Sequence, residues 1–576
     1  MSAPAARARL SWMPAALALA GRAAFAQPDA SPAIPAATVP VTDAATALVE
    51  QLLTLVPVRG AITGQRPYAV REVARLAAAV EAELARRDRG RAAAGGEPGR
   101  AAGRPAYEAR AAAIAAALRA TYGVAPTPAT TVRLRALDFV WAHGVGSGEA
   151  PRAVPTTNGV NIGLIDARTL PPLDLRHGRP AVQGAVGSVE TAHALGVGGW
   201  LALVAQPRVS AVAERAPDGA GGAAVRTGLR IAPQRLFARA VVRNVAVQAG
   251  LDEWRWGQGG AGGTFVSASA PPLRTVSVGS DTAFALPGVL RGAGRWRAAL
   301  AVADLGRSQN FPHARLAFYK VSLAPSPRVE LGGGVMSQFN GRGAPQMSPY
   351  QVAIDLAPYI GWLDKGSDLG RSNKIAAFDA RVRAPGWAGF TAAWEANLDD
   401  MDFRRFWGIL RDDATHTLDL RWARLRADGS LALALTGQRT GIRMYQHTPF
   451  VSGVTYQRRI IGTPLGPHAT GLGAELTWRP RPFDALTLEV AAEGRDASLY
   501  RTLVDGADAQ NFRFDLVESR PVERRLRLAV SAARATVGPG IALDARLGIE
   551  RAGNYAFQQG LTITRPFGEA GARIRF

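Results

Sequence analysis

The feature that most constrains this chain is a one-by-one alternation of apolar and polar residues that recurs from about residue 130 onward. Segments 378–383, 472–479, 486–493 and 541–550 show it. Successive side chains of a β-strand point to opposite faces, so this period of two predicts strands with one apolar and one polar face. A soluble antiparallel sheet has the same alternation. The pattern therefore predicts strands without deciding between a soluble and a membrane protein.

The connections between these segments alternate between two length classes. Short links are predicted near 291–294, 324–327, 384–388, 426–430, 479–485 and 535–540, and long ones near 254–280, 337–372, 397–413, 441–468 and 497–522. Short turns at one end and long loops at the other are typical of bacterial transmembrane barrels, which have even strand numbers. Counting back to about residue 157 predicts an all-β transmembrane barrel over 131–576, with about 18 antiparallel strands. A count of 16 stays open because 157–235 is hard to divide.

The last residues give the predicted barrel a direction. In 571–576, Ala572, Ile574 and Phe576 share one face, and Arg573 and Arg575 share the other. Such a strand, with an aromatic terminus, is similar to the signal read by the barrel-assembly machinery, which we expect as a partner during biogenesis. If this strand runs down to the periplasm, the long connections lie outside the cell.

The N-terminus has the form of an export signal. Arg7 and Arg9 precede the apolar stretch 10–20, and Ala24-Phe25-Ala26 fits a cleavage site. We therefore predict a signal peptide over 1–26. No later segment has roughly 18 consecutive apolar residues, so a membrane helix is not expected. A spanning chain without such helices must be a closed barrel, because backbone groups in lipid need internal partners.

Residues 27–130 are predicted to form a periplasmic helical or plug segment. Apolar residues recur at spacings of three and four over 48–55 and 70–84, which indicates helices. Gly64-Gln65-Arg66-Pro67 interrupts them, and Pro67 is placed at the start of the second helix. The Gly-, Arg- and Pro-rich stretch 87–106 is predicted to be a flexible linker. Whether this segment plugs the lumen stays open.

Composition removes several kinds of site. The chain has no cysteine, so neither disulfides nor thiolate chemistry are available. Its seven histidines are scattered and no EF-hand loop occurs, so no metal or other cofactor is expected. The run 257–263 lacks the Gly-Lys-Ser/Thr ending of a phosphate loop. The net charge of +22 is spread along the chain without a basic tract, which argues against nucleic acid but allows attraction of an acidic polymer.

Two carboxylate pairs leave an enzymatic alternative open. Asp399-Asp400 and Asp412-Asp413 lie in one predicted outer loop, and two carboxylates are what glycoside hydrolysis requires. Acidic residues in exposed loops are usually only solvated. We therefore expect no catalytic residues and treat the chain as a non-enzyme.

Three predicted outer loops combine aromatic and charged residues. Aromatic rings stack on the apolar faces of sugars, and arginine and histidine bind hydroxyls and carboxylates. An aromatic girdle at the lipid interface is the alternative for the first loop. The candidate polysaccharide-binding residues are Trp254, Arg255, Trp256, Arg404, Trp407, Arg443, Tyr445, His447 and Tyr456.

At these residues the chain resembles the capsule assembly Wzi family. Val39-Pro40 to Leu76 is similar to the helical start of that family, and Glu253-Trp254-Arg255-Trp256-Gly257 to its Arg-Trp-Trp-Gly region. Ser372 to Arg381 resembles another of its strands, and Tyr445-x-His447 with Gly453, Tyr456 and Gly462 its best-marked loop. Gln258, Phe450 and Val454 depart from the family pattern, which affects ligand contacts more than the fold.

The resemblance implies an 18-stranded bacterial outer-membrane barrel closed or filled by periplasmic helices. It also implies a lectin-like, non-enzymatic protein that binds or organises capsular polysaccharide or exopolysaccharide through extracellular loops. The expected partners are an acidic capsular or extracellular polysaccharide and outer-membrane lipid. A porin or substrate-specific channel is the first alternative, and a barrel-embedded glycan hydrolase is the second.

Overall fold

The computed structural model describes residues 33–94, 104–124, 131–143, 161–162, 184–217, 223–259, 263–267, 269–357, 371–399, 406–445, 449–504, 512–538 and 541–574. The N-terminal part contains β1 Thr38–Val39, α1 Ala44–Leu55, β2 Gln65–Arg66, β3 Tyr68–Ala69, α2 Val70–Ala94 and α3 Ala106–Tyr122. The signal peptide prediction and Phe576 lie outside the described residues.

The rest of the chain is mainly strand. In order it contains β4 Thr131–His143, β5 Asn161–Ile162, β6 Gly184–Val197, β7 Leu201–Pro217, β8 Ala223–Val242, β9 Val245–Asp252, β10 Arg255–Trp256, β11 Leu273–Ser280, β12 Arg295–Asp304, β13 Arg315–Ala324, β14 Val329–Phe339, α4 Pro349–Leu356, β15 Ser372–Ala384, β16 Phe390–Asp399, α5 Phe406–Gly408, β17 Ala414–Trp422, β18 Leu431–Thr440, β19 Thr455–Tyr456, β20 Arg459–Ile460, β21 Ala469–Trp478, β22 Ala485–Arg495, β23 Leu499–Val504, β24 Phe512–Glu518, β25 Glu523–Gly538, β26 Ile541–Gly553 and β27 Thr562–Ile574. Short 3-10 turns lie at Gly288–Ala293 and Tyr555–Phe557, and a π turn at Ile409–Asp413.

Eighteen of the described strands form one closed antiparallel barrel, which confirms the predicted fold class and strand number. Each strand pairs with the next barrel strand along the chain, and β27 pairs with β4 to close the ring. Within the described residues, β5, β10, β19, β20, β23 and β24 are the strands of this part that lie outside the barrel. Closure leaves no sheet edge in the ring, as a membrane requires.

The alternation marks the two faces of the wall. On β26, Leu547 and Ile549 are 67% and 47% exposed. Glu550 of the same strand is buried and points toward the lumen. Apolar side chains therefore face outward and charged ones inward. This is the lipid-out, polar-in arrangement of transmembrane barrels.

The short and long connections segregate to opposite ends, with two differences from prediction. The link between β11 and β12 runs over 281–294 and contains a 3-10 turn, so the expected tight link at 291–294 is wrong. The first barrel strand begins at Thr131, not near residue 157, and 157–235 contains β6, β7 and part of β8. β6, β7 and β8 have 14, 17 and 20 residues, and such unequal lengths obscure the strand boundaries in the sequence.

The N-terminal helices pack against the barrel end that carries the short turns. Asp43 caps α1 by accepting a hydrogen bond from the Ala45 amide at 2.9 Å. Leu48 and Leu52 of α1 are fully buried. They belong to one apolar cluster that includes Val73 of α2, Ile114 of α3, and Phe237 and Val241 of β8. This cluster fixes the helices to the inner wall.

Two expectations for this segment are wrong. Residues 87–94 continue α2 and do not belong to a flexible linker. Arg87 and Arg91 lie 2.9 Å from the carboxylate of Glu108 on α3, so ion pairs between the helices favour the extra turns. The second helix begins at Val70, because Pro67 lies in the turn between β2 and β3.

Candidate functional site

The segment before α2 enters the lumen and is held by a strand carboxylate. Glu330 of β14 is fully buried and accepts hydrogen bonds from the amides of Thr63 and Gly64, each at 2.8 Å. The same carboxylate lies 3.0 Å from the Arg383 guanidinium of β15. Gln65 donates to the backbone of β12 and β13, through Arg297 O and Lys320 O. The N-terminal segment is thereby attached to several strands of the wall.

The outer loop between β9 and β11 turns inward to meet that segment. Its strand β10 pairs with β2, so that Trp256 lies opposite Gln65 and Arg255 opposite Arg66. The Gly257 amide donates to Gly64 O at 2.9 Å. A loop from the outer end and a segment from the periplasmic end therefore touch inside the barrel.

A second buried carboxylate holds the inward loop. Glu395 of β16 is fully buried and accepts hydrogen bonds from the amides of Gly259, Thr264 and Phe265 at 3.0, 2.7 and 2.8 Å. The Thr264 hydroxyl donates to it as well, at 2.8 Å. Hydrogen bonds to an ionised acceptor are stronger than neutral ones. One glutamate thus fixes the path of the loop over 259–265.

The predicted aromatic residues come together beneath the loops. Trp254, Trp256, Tyr445 and Tyr456 all belong to one buried apolar cluster, with exposed fractions of 8%, 1%, 0% and 5%. The rings of Trp254 and Trp256 meet edge to face at 5.5 Å, and Trp256 meets Phe318 of β13 at 5.0 Å. These four side chains lie neither on the outer surface nor on the lipid-facing wall. They form a platform that supports the loops.

Tyr445 ties two loops of this platform together. Its hydroxyl donates to Thr264 O at 2.7 Å and accepts from the Thr463 amide at 2.9 Å. A Cβ at Gly462 would stand 2.3 Å from that hydroxyl, so only glycine fits there. Burial raises the pKa of Tyr445, which keeps the phenol neutral and able to donate.

A cluster of charges lies where the helices meet the lumen. The Glu50 carboxylate of α1 contacts Arg66 and lies 3.1 Å from Arg421 of β17 and 3.9 Å from Arg381 of β15. Burial alone raises the pKa of Glu50, but these guanidiniums outweigh it and hold the pKa well below its usual range. Burial near Arg66 lowers the pKa of Arg255 to about 9. Arg255 also donates to Gly259 O at 3.0 Å.

Further loops join at the outer surface through ion pairs. Arg443 donates two hydrogen bonds to the buried Asp413 carboxylate, at 2.7 and 2.8 Å, which links the β18–β21 loop to the β16–β17 loop. Its guanidinium also lies 5.8 Å from the Phe514 ring of β24. Tyr500 of β23 pairs with Ile162 of β5, which brings in the β4–β6 connection. These contacts make the four loops one continuous surface.

Trp407 is the predicted site residue that remains accessible on this surface. Its side chain is 80% exposed on α5. Nearby in sequence, Arg411 is also exposed and donates to Asp412 through two bonds of 2.8 Å. The surface therefore offers one exposed aromatic ring and, four residues further along the chain, one exposed guanidinium. Arg404 and His447 lie outside the described residues.

The acids of the hydrolase alternative are already engaged. Asp412 and Asp413 each bind an arginine, and Asp399 is buried; Asp400 lies outside the described residues. Among the residues that the structure describes, no group of three histidine, aspartate or glutamate side chains could hold a metal ion. No described helix is long and apolar enough to cross a membrane.

Sequence reasoning did not identify Glu330 and Glu395 as the carboxylates that hold the loops, and it considered Asp413 only as a possible catalytic acid, not as the partner of Arg443. The first two are marked only as polar residues on the lumen side of alternating strands. Their partners lie 267 and 131 residues away, at Thr63 and Thr264. Nothing local in the sequence connects such positions.

The fold and this arrangement define a class: a closed transmembrane-type barrel whose lumen contains its N-terminal segment and an inward-turned long loop. The family model "Capsule assembly protein Wzi" matches residues 177–564. The chain therefore belongs to the capsule assembly protein Wzi family, as the sequence resemblance predicted, and is a capsule-associated protein of the bacterial outer membrane.

A solved structure of this family agrees on the fold. The chain is similar to Wzi of Escherichia coli, described as an outer membrane protein involved in group 1 capsule assembly and a carbohydrate-binding β-barrel. The TM-score is 0.56 at 15% identity, covering 94% of this chain and 99% of that one. The match to OprD of Pseudomonas aeruginosa has a TM-score of 0.38 at 9% identity, over 77% and 93% of the two chains. No curated protein sequence matches this chain.

Proposed function

We propose that this protein binds an acidic capsular or extracellular polysaccharide at the cell surface and holds it there without chemically altering it. The observation that carries the proposal is the continuous outer surface on which Trp407 is exposed, four residues before the exposed, ion-paired Arg411. An aromatic ring stacks on a sugar face, and guanidinium groups bind uronate carboxylates and hydroxyls. The E. coli relative described as a carbohydrate-binding barrel supports this ligand class.

The proposed division of labour differs among the predicted site residues. Trp407 makes direct contact with the sugar, while Arg443 presents part of its guanidinium after pairing with Asp413. Trp254, Trp256, Tyr445 and Tyr456 act indirectly, since they hold the loops in place from beneath. Arg404 and His447 are proposed as further contacts on sequence grounds alone.

Charge supports the acidic character of the ligand. The chain carries 68 basic and 46 acidic residues, a net charge of +22. Such a field attracts polyanions, and the attraction weakens as salt screens it. A neutral glycan of the same length gains nothing from this term.

The test is binding of purified cell-surface polysaccharide to the full protein in detergent micelles, with Trp407→Ala compared with wild type. Loss of one stacking contact should weaken binding by about 2- to 10-fold. Trp387→Ala is the matched control, because Trp387 is 65% exposed but lies in a short turn at the periplasmic end. Binding should also weaken with added salt.

Two results would contradict the proposal. Absence of binding to any surface glycan of the producing cell would remove the ligand class. Equal affinity of wild type and Trp407→Ala would remove the outer surface as the site. Turnover of the glycan by the protein would instead support the hydrolase alternative.

A further inference from the structure

The barrel wall carries a basic row on its outward face at the outer ends of six consecutive strands. Directly paired residues of β17, β18, β21, β22, β25 and β26 form it, in the order His416, Arg439, Thr470, Gly494, Arg524 and Gly553. Arg551 of β26 stands one outward-facing position closer to the membrane, opposite Leu526. Arg439, Arg524 and Arg551 are all exposed.

Apart from Arg551, the rows that follow toward the periplasm are apolar, which places this basic row at the upper edge of the lipid-facing band. The next row runs through Leu418, Gly437, Leu472, Ala492 and Leu526, and the one after it through Leu420, Leu435, Ala474, Val490, Leu528 and Ile549. Leu472 and Leu526 are 68% and 55% exposed. The arginines therefore stand where the hydrocarbon of the outer leaflet gives way to its head groups.

The side chains of these arginines have no acidic partner among the residues that the structure describes. Among the residues that the structure describes, the side chains of Arg439, Arg524 and Arg551 take part in no hydrogen bond or ion pair. On the opposite side of the barrel, Lys374 is paired with Asp355, and Arg315 lies opposite Asp304. Three exposed arginines without an acidic partner among the described residues therefore lie close together on the β18–β26 side of the wall.

The spacing of the two arginines in the row is suited to a ligand with two anionic groups. Arg439 and Arg524 are three strands apart, so their Cα atoms are about 14 Å from each other. Between them lie Thr470 and Gly494, and a Cβ at Gly494 would meet Thr470 Oγ1 at 3.3 Å. Two small residues leave a shallow floor between two long cationic side chains.

We propose that this row binds the phosphorylated glycolipid of the outer leaflet, with its sugar moiety over Thr470 and Gly494 and a phosphate at each arginine. Guanidinium groups bind phosphate through paired hydrogen bonds, and basic residues at a membrane surface attract anionic head groups. The position on the outward wall, below the loops, separates this site from the proposed polysaccharide surface. The barrel wall would then bind the same glycolipid whose sugars extend from the membrane surface next to the protein.

The experiment uses the full protein in nanodiscs of phosphatidylcholine that contain lipid A, the disaccharide bisphosphate part of such a glycolipid. Native mass spectrometry measures the fraction of protein that retains lipid A. Arg439→Gln with Arg524→Gln should lower the retained fraction by about 10- to 30-fold. The matched control is Arg307→Gln with Arg342→Gln, two exposed loop arginines that lie outside the row.

A second measurement changes the lipid and leaves the protein unaltered. Wild-type protein should retain dephosphorylated lipid A as poorly as the double variant retains the intact lipid. Unchanged retention in either comparison would overturn the proposal. Equal retention of phosphatidylglycerol would show a site for any anionic phospholipid, and displacement by millimolar inorganic phosphate would show a site for the free ion; both would overturn the glycolipid assignment.

Discussion

At the residue scale, single buried carboxylates determine where the flexible parts of this chain lie. Glu395 accepts four hydrogen bonds from one loop, and Glu330 holds the N-terminal segment in the same way. A carboxylate accepts several hydrogen bonds at once, and these bonds are strongest when the carboxylate is ionised. Each glutamate therefore fixes the backbone of a segment that has no neighbouring strand to bind its amide groups.

Replacement of Glu395 by glutamine should loosen the inward loop. The amide keeps the size but loses the charge and turns one acceptor into a donor, so the loop should lose roughly 3 kcal/mol of local stability. Hydrogen exchange measured by mass spectrometry should show faster exchange of the amides of Gly259, Thr264 and Phe265. Glu489→Gln, in a lumen ion pair with Arg546, is the control and should leave these amides protected. Unchanged protection in Glu395→Gln would show that the loop is held by packing alone.

At the scale of elements, the helical segment is joined to the barrel by an apolar cluster and by one central ion-pair group. Glu50 of α1 neutralises arginines from the N-terminal segment and from two strands. Removing one member of such a buried group leaves the others without compensation. The docking of α1 therefore depends on a charge as well as on apolar contact.

We expect Glu50→Gln to destabilise the docked helices by about 3–5 kcal/mol at neutral pH. Glu83→Gln on α2 weakens surface pairs with Arg86 and Arg87 and should cost less than about 1 kcal/mol. Chemical unfolding followed by limited proteolysis of the helices measures both. Equal stability of the two variants would contradict a docking role for Glu50.

The ion pairs of Glu50 should make the docking of the helices depend on pH. Since the pKa of folded Glu50 lies below its ordinary value of 4.5, its contribution is complete above about pH 4.5 and is lost as the pH falls below that value. The helices of the wild type should therefore be released in acid before the barrel opens. In Glu50→Gln this acid step should be smaller, and a step of equal size would assign it to other carboxylates.

At the scale of the whole molecule, two segments of the chain extend into the lumen from opposite ends of the barrel. The N-terminal segment and the β9–β11 loop meet through the β2–β10 pair and the Gly257–Gly64 hydrogen bond. A porin instead keeps a water-filled channel. The arrangement favours a surface-binding barrel over the channel alternative.

The full protein in a planar bilayer should accordingly show negligible conductance. Glu330→Gln combined with Glu395→Gln removes the carboxylate that holds each lumen segment, and this variant should show intermittent openings. Single-channel recording of both proteins is the measurement. Large steady conductance of the wild type would restore the channel reading.

Much of this molecule is determined by local sequence. Alternation at a period of two sets the strands, and the outward face is apolar because lipid contacts it directly. The lengths of the connections predict which ends of the strands share one side of the membrane. Apolar residues that recur at spacings of three and four, such as Leu48 and Leu52 in the first helix and Val73 and Leu76 in the second, predict the helices. Two of the errors, at 87–94 and at 291–294, fall where ion pairs or a short turn outweigh local propensity.

The course of the loops was decided only by the tertiary structure. The sequence places Trp254, Trp256, Tyr445 and Tyr456 in outer loops, but an outer loop can point outward or turn into the lumen. That choice depends on Glu395, more than a hundred residues from its partners, and on Gly462, which leaves room for one ring. Strand patterning is a property of neighbouring residues, whereas loop burial depends on contacts between distant ones.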